Sequence, residues 1–182
     1  METGVSDLMI KLILIDIDGV MTDGTKIYDG TGVCVYKKFC DCDFTAIKRM
    51  KAAGVSVCFL SGDETINKAM ANNRNIDFYF SRGKEKLEFL PMLCKKYGAT
   101  PKKTLYIGDD IFDVELLKAV GYPFCPEDAI PEVRQVCDSL GTLSVKGGDK
   151  VISSLYAKLV RWGLVKNIGA EGIQSLDLEE IW

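Results

Sequence analysis

The chain has 182 residues and contains no histidine. Histidine supplies the general base of serine and cysteine hydrolase triads and is the commonest metal ligand among side chains. Its absence excludes every catalytic triad and every metal site that is built on imidazole. Any acid–base or metal chemistry must therefore use other side chains.

Long apolar runs and clusters of basic residues are missing as well. A run such as Val55–Leu60 is far shorter than the roughly 20 apolar residues that span a bilayer. The first residues reach acidic positions too soon for a signal peptide and show no small-residue cleavage site. The net charge is −3, with no basic run of the kind that binds nucleic acid. We therefore expect a cytoplasmic protein that binds neither membranes nor nucleic acids.

Paired cysteine motifs are also absent. The seven cysteines are odd in number and form no Cys-x-x-Cys pair. Without a secretion signal, reduced thiols are the better interpretation. Cys40 and Cys42 lie close together, but with no histidine and no second pair we expect no metal site there.

Predicted strands and helices alternate along the chain. Apolar runs predict buried strands at 11–18, 55–63, 76–81 and 104–110, and helical patterns lie at 43–54, 64–75, 84–98, 111–121 and 149–163. Segments 122–126 and 139–148 are read as short strands or loops. Two alternating arms around DGTG predict a β-hairpin at about 24–39. This order is typical of an α/β fold, a parallel sheet with helices on both faces.

Polar side chains follow three of these predicted strands. Asp16 and Asp18 end the first, Ser61 and Gly62 the second, and an acidic group, Asp109, Asp110 and Asp113, the last. Ligands of parallel sheets bind beyond the carboxyl ends of the strands, so these residues are expected at one rim. Lys86, at the start of a predicted helix, is expected there too. Converging carboxylates require a cation, and hard oxygen ligands select Mg²⁺.

Such a rim is suited to phosphoryl transfer. Asp16 would attack phosphorus and form an aspartyl-phosphate, while Asp18 would protonate the leaving oxygen and later activate water. Gly19 leaves the backbone bare for close approach of the phosphate. Ser61 and Lys86 would hold the phosphoryl oxygens. Each feature alone is more often a turn former or a solvated side chain; their ordered combination carries the interpretation.

The same residues resemble the haloacid dehalogenase (HAD) phosphatase superfamily. DIDGVMTDG at 16–24 is similar to its first motif, FLSGD at 59–63 to the second, Lys86 to the third, and YIGDDIFD at 106–113 to the fourth. The similarity covers about residues 10–150. A hairpin directly after the first motif resembles the capless phosphatases of 3-deoxy-D-manno-octulosonate (KDO) 8-phosphate and of acylneuraminate or KDN 9-phosphate.

The resemblance implies a three-layer Rossmann-like domain over residues 1–162, with the hairpin in place of a cap domain and a tail at 163–182. It implies Asp16 as nucleophile, Asp18 as acid/base, and Mg²⁺ bound by Asp16, the Asp18 carbonyl and Asp109. Asp110 and Asp113 would support the metal site. The substrate would be a phosphorylated sugar acid, and the hairpin would join subunits into a homotetramer. The residues assigned to substrate binding are Gly19, Asp43, Gly62 and Asp63.

Two positions depart from the octulosonate enzymes. These usually carry arginine after the second-motif glycine, where this chain has Asp63, and acylneuraminate or KDN enzymes can carry an acid there. Asp63 therefore favours a nine-carbon 9-phosphate slightly over the octulosonate, although it could simply cap the following helix. The family's C-terminal GGxGAVRE is replaced by GGDKVISS at Gly147–Ser154.

Two other functions remain open at this stage. A phospho-receiver signalling domain also gathers acids, a hydroxyl and a lysine at the strand ends of an α/β fold, but its phosphorylated aspartate lies on a later strand. The second alternative is an inactive scaffold that keeps the fold for assembly. The presence of every motif residue argues against it.

Overall fold

The computed structural model describes residues 9–178 of the chain. Its strands are β1 (Leu12–Ile15), β2 (Ile27–Tyr28), β3 (Cys34–Tyr36), β4 (Ser56–Ser61), β5 (Asp77–Phe80), β6 (Thr104–Ile107) and β7 (Tyr122–Phe124). Five of them form one parallel sheet in the order β5–β4–β1–β6–β7. β1 lies at the centre, paired with β4 on one side and β6 on the other. Its LILI sequence is fully buried, as expected of a strand covered on both faces.

Helices cover both faces of the sheet. They are α1 (Asp41–Ala52), α2 (Thr65–Asn73), α3 (Leu90–Tyr97), α4 (Val114–Ala119), α5 (Pro131–Gly141), α6 (Val151–Arg161) and α7 (Gln174–Asp177). Ile13 and Ile15 of β1 belong to the core with α1 and α6, whereas Leu12 and Leu14 belong to the core with α3, α4 and α5. Alternate side chains of β1 therefore pack into two apolar layers, one on each face of the sheet. The predicted three-layer α/β fold is confirmed.

Two predicted segments differ in detail. The helix expected at 84–98 divides into a 3₁₀ turn, Lys86–Phe89, and α3, which has Pro91 in its first turn and ends at Gly98. Pro91 therefore occupies a position where its missing N–H costs nothing. Helix α5 was missed, although Pro131 opens it and Val133, Val136 and Cys137 have helical spacing.

The hairpin of β2 and β3 is a separate two-stranded sheet. Its apolar side chains face solvent in the single chain: Tyr36 is 68% exposed, and Ile27 and Tyr28 are each 57% exposed. It thus does not fold back onto its own domain to bury them. Lys26 and Lys37, at its two ends, reach the main domain instead.

The segment after α6 packs on the main domain. Leu164 and Val165 are buried in the core with α1 and α6. Arg49 of α1 donates from Nε to the carbonyl of Ile168 at 2.6 Å, and Lys48 pairs with Asp177. The boundary predicted at residue 162 stays a prediction, and the C-terminal tryptophan lies outside the described residues. Among residues 9–178, no helix has the length and apolar character needed to cross a bilayer.

Candidate active site

The carboxyl ends of β4, β1 and β6 meet at one edge of the sheet, where a cavity of about 740 Å³ opens. Most of the predicted site residues line it: Asp16, Asp18, Gly19, Ser61, Gly62, Asp63, Lys86, Asp109 and Asp110. Asp113 lies behind this wall and is fully buried. Asp43 is the exception, because it does not line the cavity.

Lys86 is buried at the base of the cavity between two acids. Its Nζ lies 3.0 Å from Oδ1 of Asp16 and 2.6 Å from Oδ1 of Asp113. Burial lowers the pKa of Lys86, but the charges of Asp16 and Asp113 outweigh burial and raise it above its usual value. Lys86 is therefore a permanent cation beside Asp16.

Asp113 holds the loop after β6 in place. Its Oδ1 accepts from Lys86 and, at 2.5 Å, from the hydroxyl of Tyr106, and its Oδ2 accepts from the backbone N–H groups of Asp109 and Asp110. The side chain of Asp110 in turn caps the 3₁₀ turn Ile111–Asp113. All four bonds to Asp113 are internal, so this residue fixes the backbone that carries Asp109.

The negative charges of Asp16 and Asp109 are poorly compensated in this buried site. Burial raises the pKa of Asp16 to about 7 and that of Asp109 to about 8, and in each case neighbouring acids add to the effect. Oδ1 of Asp109 is buried without a hydrogen-bond partner. Carboxylate oxygens of Asp16, Asp109 and Asp113 lie within 4.8 Å of one another. A bound divalent cation would satisfy the orphan oxygen and offset the repulsion, so the residues present fit a metal ion.

Gly19 is required by the close approach of Asp109. Its φ is +87°, and a Cβ at this position would lie 2.0 Å from Oδ2 of Asp109. Gly147 also has no room for a side chain, since a Cβ at this position would lie 2.2 Å from the carbonyl oxygen of Gly19. The loop after β1 is therefore held between Asp109 and the turn that precedes α6.

Asp18 and Asp63 share cations supplied by the hairpin. Nζ of Lys37 is fully buried and donates to both oxygens of Asp18, at 2.7 and 3.0 Å, and to Asp63 at 2.8 Å. Lys26 donates to Asp63 at 2.8 Å. Burial raises the pKa of Asp63, but hydrogen bonds from Lys26 and Lys37 prevail and lower it to about 2. Asp63 does not cap α2, because its carboxylate is turned to these lysines.

Ser61 has its hydroxyl proton free for a ligand. Its Oγ accepts from Nδ2 of Asn67 at 3.0 Å and from the backbone N–H of Asp63 at 3.2 Å. Both lone pairs are thereby used, and a hydroxyl has one further donor. Asn67 also donates to Asp18 at 3.1 Å, so one buried amide orients both residues.

Comparison with known proteins identifies the family. Residues 63–148 match the model of haloacid dehalogenase-like hydrolases. The 3-deoxy-D-manno-octulosonate 8-phosphate phosphatase of Haemophilus influenzae is 36% identical over 140 residues, which cover 76% of each chain. The Escherichia coli K12 phosphatase of the same name is 26% identical over 72% of this chain and 79% of that protein. This chain belongs to the HAD phosphatases.

Solved structures agree with this assignment. The cobalt-bound octulosonate phosphatase of H. influenzae superimposes with a TM-score of 0.79 at 31% identity, covering 86% of this chain and 90% of that one. The Moraxella catarrhalis phosphatase, in complex with magnesium, phosphate and KDO, has a TM-score of 0.76 at 25% identity, covering 84% and 86%. Membership in the HAD phosphatases decides against the receiver domain and the inactive scaffold.

Three residues of this HAD site were not predicted. Lys26 and Lys37 lie on the hairpin, where a lysine is usually solvated, and Asn67 lies inside α2. The only sequence signal is that the two lysines flank the hairpin arms, one at each end. Their contact with Asp18 and Asp63 depends on how the hairpin docks.

Asp43 has a structural position in this HAD domain. It lies in the first turn of α1, is fully buried, and accepts at Oδ1 from the backbone N–H of Ser153 at 2.8 Å. Its Oδ2 is buried without a partner. A carboxylate that meets the first turn of α6 joins this helix to α1. Substrate binding by Asp43 stays a prediction that the cavity lining does not support.

Asp43→Asn is expected to change the pH dependence of stability. Burial raises the pKa of Asp43 to about 6 from 3.8, so the folded protein holds this proton more tightly than the unfolded chain. Wild-type stability should therefore decline as the pH rises from about 4 to 6, by up to about 3 kcal/mol, whereas the variant lacks this contribution. Urea unfolding at pH 4, 5 and 7, with Glu132→Gln as the exposed control, measures it. Parallel pH profiles for wild type and Asp43→Asn would contradict the assignment.

Proposed function

We propose that the protein is a cytoplasmic, Mg²⁺-dependent phosphatase that hydrolyses the phosphate monoester of a 3-deoxy-2-ulosonic sugar acid. The observation that carries this proposal is the position of Asp16, which lies at the cavity beside Lys86 and next to the unpartnered oxygen of Asp109. A carboxylate so placed can act as a nucleophile toward phosphorus. The names of the relatives support the class of substrate.

The first step forms a bond between a carboxylate oxygen of Asp16 and phosphorus and breaks the bond from phosphorus to the ester oxygen. Asp18 accepts from Lys37 as a carboxylate, so it must take up a proton when the substrate binds; it then gives this proton to the ester oxygen, which leaves as the sugar hydroxyl. Asp18 then takes a proton from water, which attacks phosphorus and releases inorganic phosphate and free Asp16. Lys37 and Asn67 hold Asp18 in a fixed orientation for both steps.

The phosphoryl oxygens are bound by donors already present in the cavity. Ser61 offers its free hydroxyl proton and Lys86 its charge. Mg²⁺ would be held by Asp16, Asp109 and the main-chain carbonyl of Asp18, with Asp110 and Asp113 as supports. When bound, the ion neutralises the repulsion between the carboxylates and the phosphate dianion.

Asp16→Asn is expected to reduce turnover to below a few per cent while leaving the fold intact, since a neutral amide is a poor nucleophile and metal ligand. Release of phosphate from p-nitrophenyl phosphate and from octulosonate 8-phosphate, with circular dichroism of both proteins, measures this. Glu132→Gln, which neutralises an exposed acid, is the matched control. Retention of more than a few per cent of activity by a folded Asp16→Asn protein would refute the nucleophile.

Two chain lengths are candidates for the sugar acid in the substrate, eight carbons and nine carbons. The relatives named above favour the eight-carbon octulosonate 8-phosphate. Asp63 favours a nine-carbon acid, because it lines the cavity and its carboxylate, bound at Oδ2 to two lysines, can also accept from a substrate hydroxyl or amide. We propose the nine-carbon 9-phosphate as the second candidate on this ground.

Asp63→Arg should shift the preference toward the octulosonate. Arginine would replace an acceptor of hydrogen bonds with a donor and would face Lys26 and Lys37, so nine-carbon turnover should fall about tenfold or more relative to eight-carbon turnover. The measurement is kcat/KM for both substrates in wild type, Asp63→Arg and the surface control Glu132→Arg. If the ratio is the same in all three proteins, Asp63 does not read the substrate.

We further propose that the hairpin joins subunits into a homotetramer. A lone two-stranded ribbon is marginal in water, and this one exposes Ile27, Tyr28, Val33, Val35 and Tyr36. An oligomer would cover these side chains and keep Lys26 and Lys37 in place.

Light scattering at micromolar concentration should give a mass near four chains for the wild type. Replacing both Tyr28 and Tyr36 with aspartate should yield a smaller species, because charge at a buried interface is unfavourable. Exposed Lys102→Asp is the control and should keep the wild-type mass. A wild-type monomer would overturn the proposal.

A further inference from the structure

The cavity contains four basic residues that differ in their partners: Lys26, Arg82, Lys84 and Lys86. Lys26 pairs with Asp63, and Lys86 pairs with Asp16 and Asp113. Within residues 9–178, Arg82 and Lys84 form no ion pair with any carboxylate. Both belong to the loop 81–85 between β5 and the 3₁₀ turn, so the two cations of the cavity that lack an ion-pair partner lie on one wall.

Arg82 is anchored with its charge still available. Its Nε donates to the carbonyl oxygen of Gly62 at 2.9 Å, which leaves both terminal amino groups without a protein partner in the described part of the chain. Nζ of Lys84 lies 5.8 Å from the ring centroid of Phe89 and has no polar partner there. Glu85 and Glu88 also line the cavity, but their side chains accept from backbone N–H groups in a capping box, and within residues 9–178 neither forms an ion pair with Arg82 or Lys84.

The loop that carries both cations is fixed before any ligand arrives. The backbone N–H of Ser81 donates to the carbonyl of Ser61 at 3.0 Å, and that of Lys84 donates to Ser81 at 3.0 Å, which closes a turn. Gly83 has a φ of +78°, the conformation that such a turn assigns to glycine. The turn is thus tied to the strand that ends in Ser61.

A sugar-acid phosphate carries two anionic groups at opposite ends. The phosphate would lie at Asp16, where Ser61 and Lys86 can bind its oxygens. The substrate carboxylate requires a separate cation. A guanidinium with two free amino groups matches a carboxylate in a two-point contact. We propose that Arg82, assisted by Lys84, binds the substrate carboxylate and so selects sugar acids over neutral sugars. This inference rests on the proposed function and assigns a selectivity role to the 81–85 loop.

The test compares substrates with and without a carboxylate. Octulosonate 8-phosphate and mannose 6-phosphate are assayed with wild type, Arg82→Gln, Arg82→Lys and the double variant Arg82→Gln/Lys84→Gln. Lys102→Gln, which removes an exposed cation outside the cavity, is the control. The quantity compared is the ratio of kcat/KM for the acid to kcat/KM for the neutral sugar phosphate.

The double variant should lower this ratio about 10- to 100-fold, mainly by raising KM for the acid. A change of this size is expected when hydrogen bonds to a charged group are lost. Arg82→Lys should keep more of the ratio than Arg82→Gln, and Lys102→Gln should keep all of it. An unchanged ratio overturns the inference, and so does an equal loss on both substrates, which would place Arg82 and Lys84 at the phosphoryl group.

Failure of the proposed function has a different signature. In that case the wild type itself hydrolyses mannose 6-phosphate or p-nitrophenyl phosphate as well as it hydrolyses sugar-acid phosphates, and the inference fails with it. If the wild type prefers the acid and the double variant keeps that preference, only the role of Arg82 and Lys84 is refuted.

Discussion

The buried contact of Lys86 with Asp16 and Asp113 is the interaction on which the site depends. Charges are costly to bury unless they are paired, and here one lysine forms ion pairs with two acids. Asp113 then uses its remaining oxygen to fix the backbone of Asp109 and Asp110. One cation therefore links the loop after β1, the turn before α3 and the loop after β6. Removing it would leave buried, unpaired carboxylates at the reacting end of the cavity.

The same principle connects the hairpin to the domain. The side chain of Lys37 is fully buried although the residue lies at the end of an exposed ribbon, and its Nζ contacts Asp18, Asp63 and Asn67. An aspartate at position 63 is thus compatible with binding an anionic substrate, because Lys26 and Lys37 balance its charge. The two lysines that balance Asp63 lie 26 and 37 positions away along the chain.

Much of the site could be predicted because its residues follow directly on buried strands. Asp16, Ser61 and Asp109 each come at the end of an apolar run, and parallel pairing brings such ends to one edge. Helix α5 was not predicted although its apolar spacing is regular, because loop-like segments precede and follow its start at Pro131. Lys26, Lys37 and Asn67 could not be found, since their contacts depend on how a hairpin docks and no local period records that. Substrate binding by Asp43 stays a prediction, because in the structure its carboxylate accepts from the first turn of α6 and does not line the cavity.

The distribution of charge divides the cavity into two parts, one that favours binding of a cation and one that favours binding of an anion. At the end near Asp16, every cation has a carboxylate partner and an oxygen of Asp109 still lacks one, so this end accepts more positive charge. At the 81–85 loop, the cations have no carboxylate partner and the wall accepts negative charge. A phosphate ester of an acid, with a metal ion at the phosphate, satisfies both parts at once. A neutral sugar phosphate would leave Arg82 and Lys84 facing hydroxyl groups, which bind a cation less strongly than a carboxylate does. Selectivity for the acid then follows from the 81–85 loop, while the chemistry depends on the strand ends and on the residues that hold them, Lys86, Lys37 and Asn67.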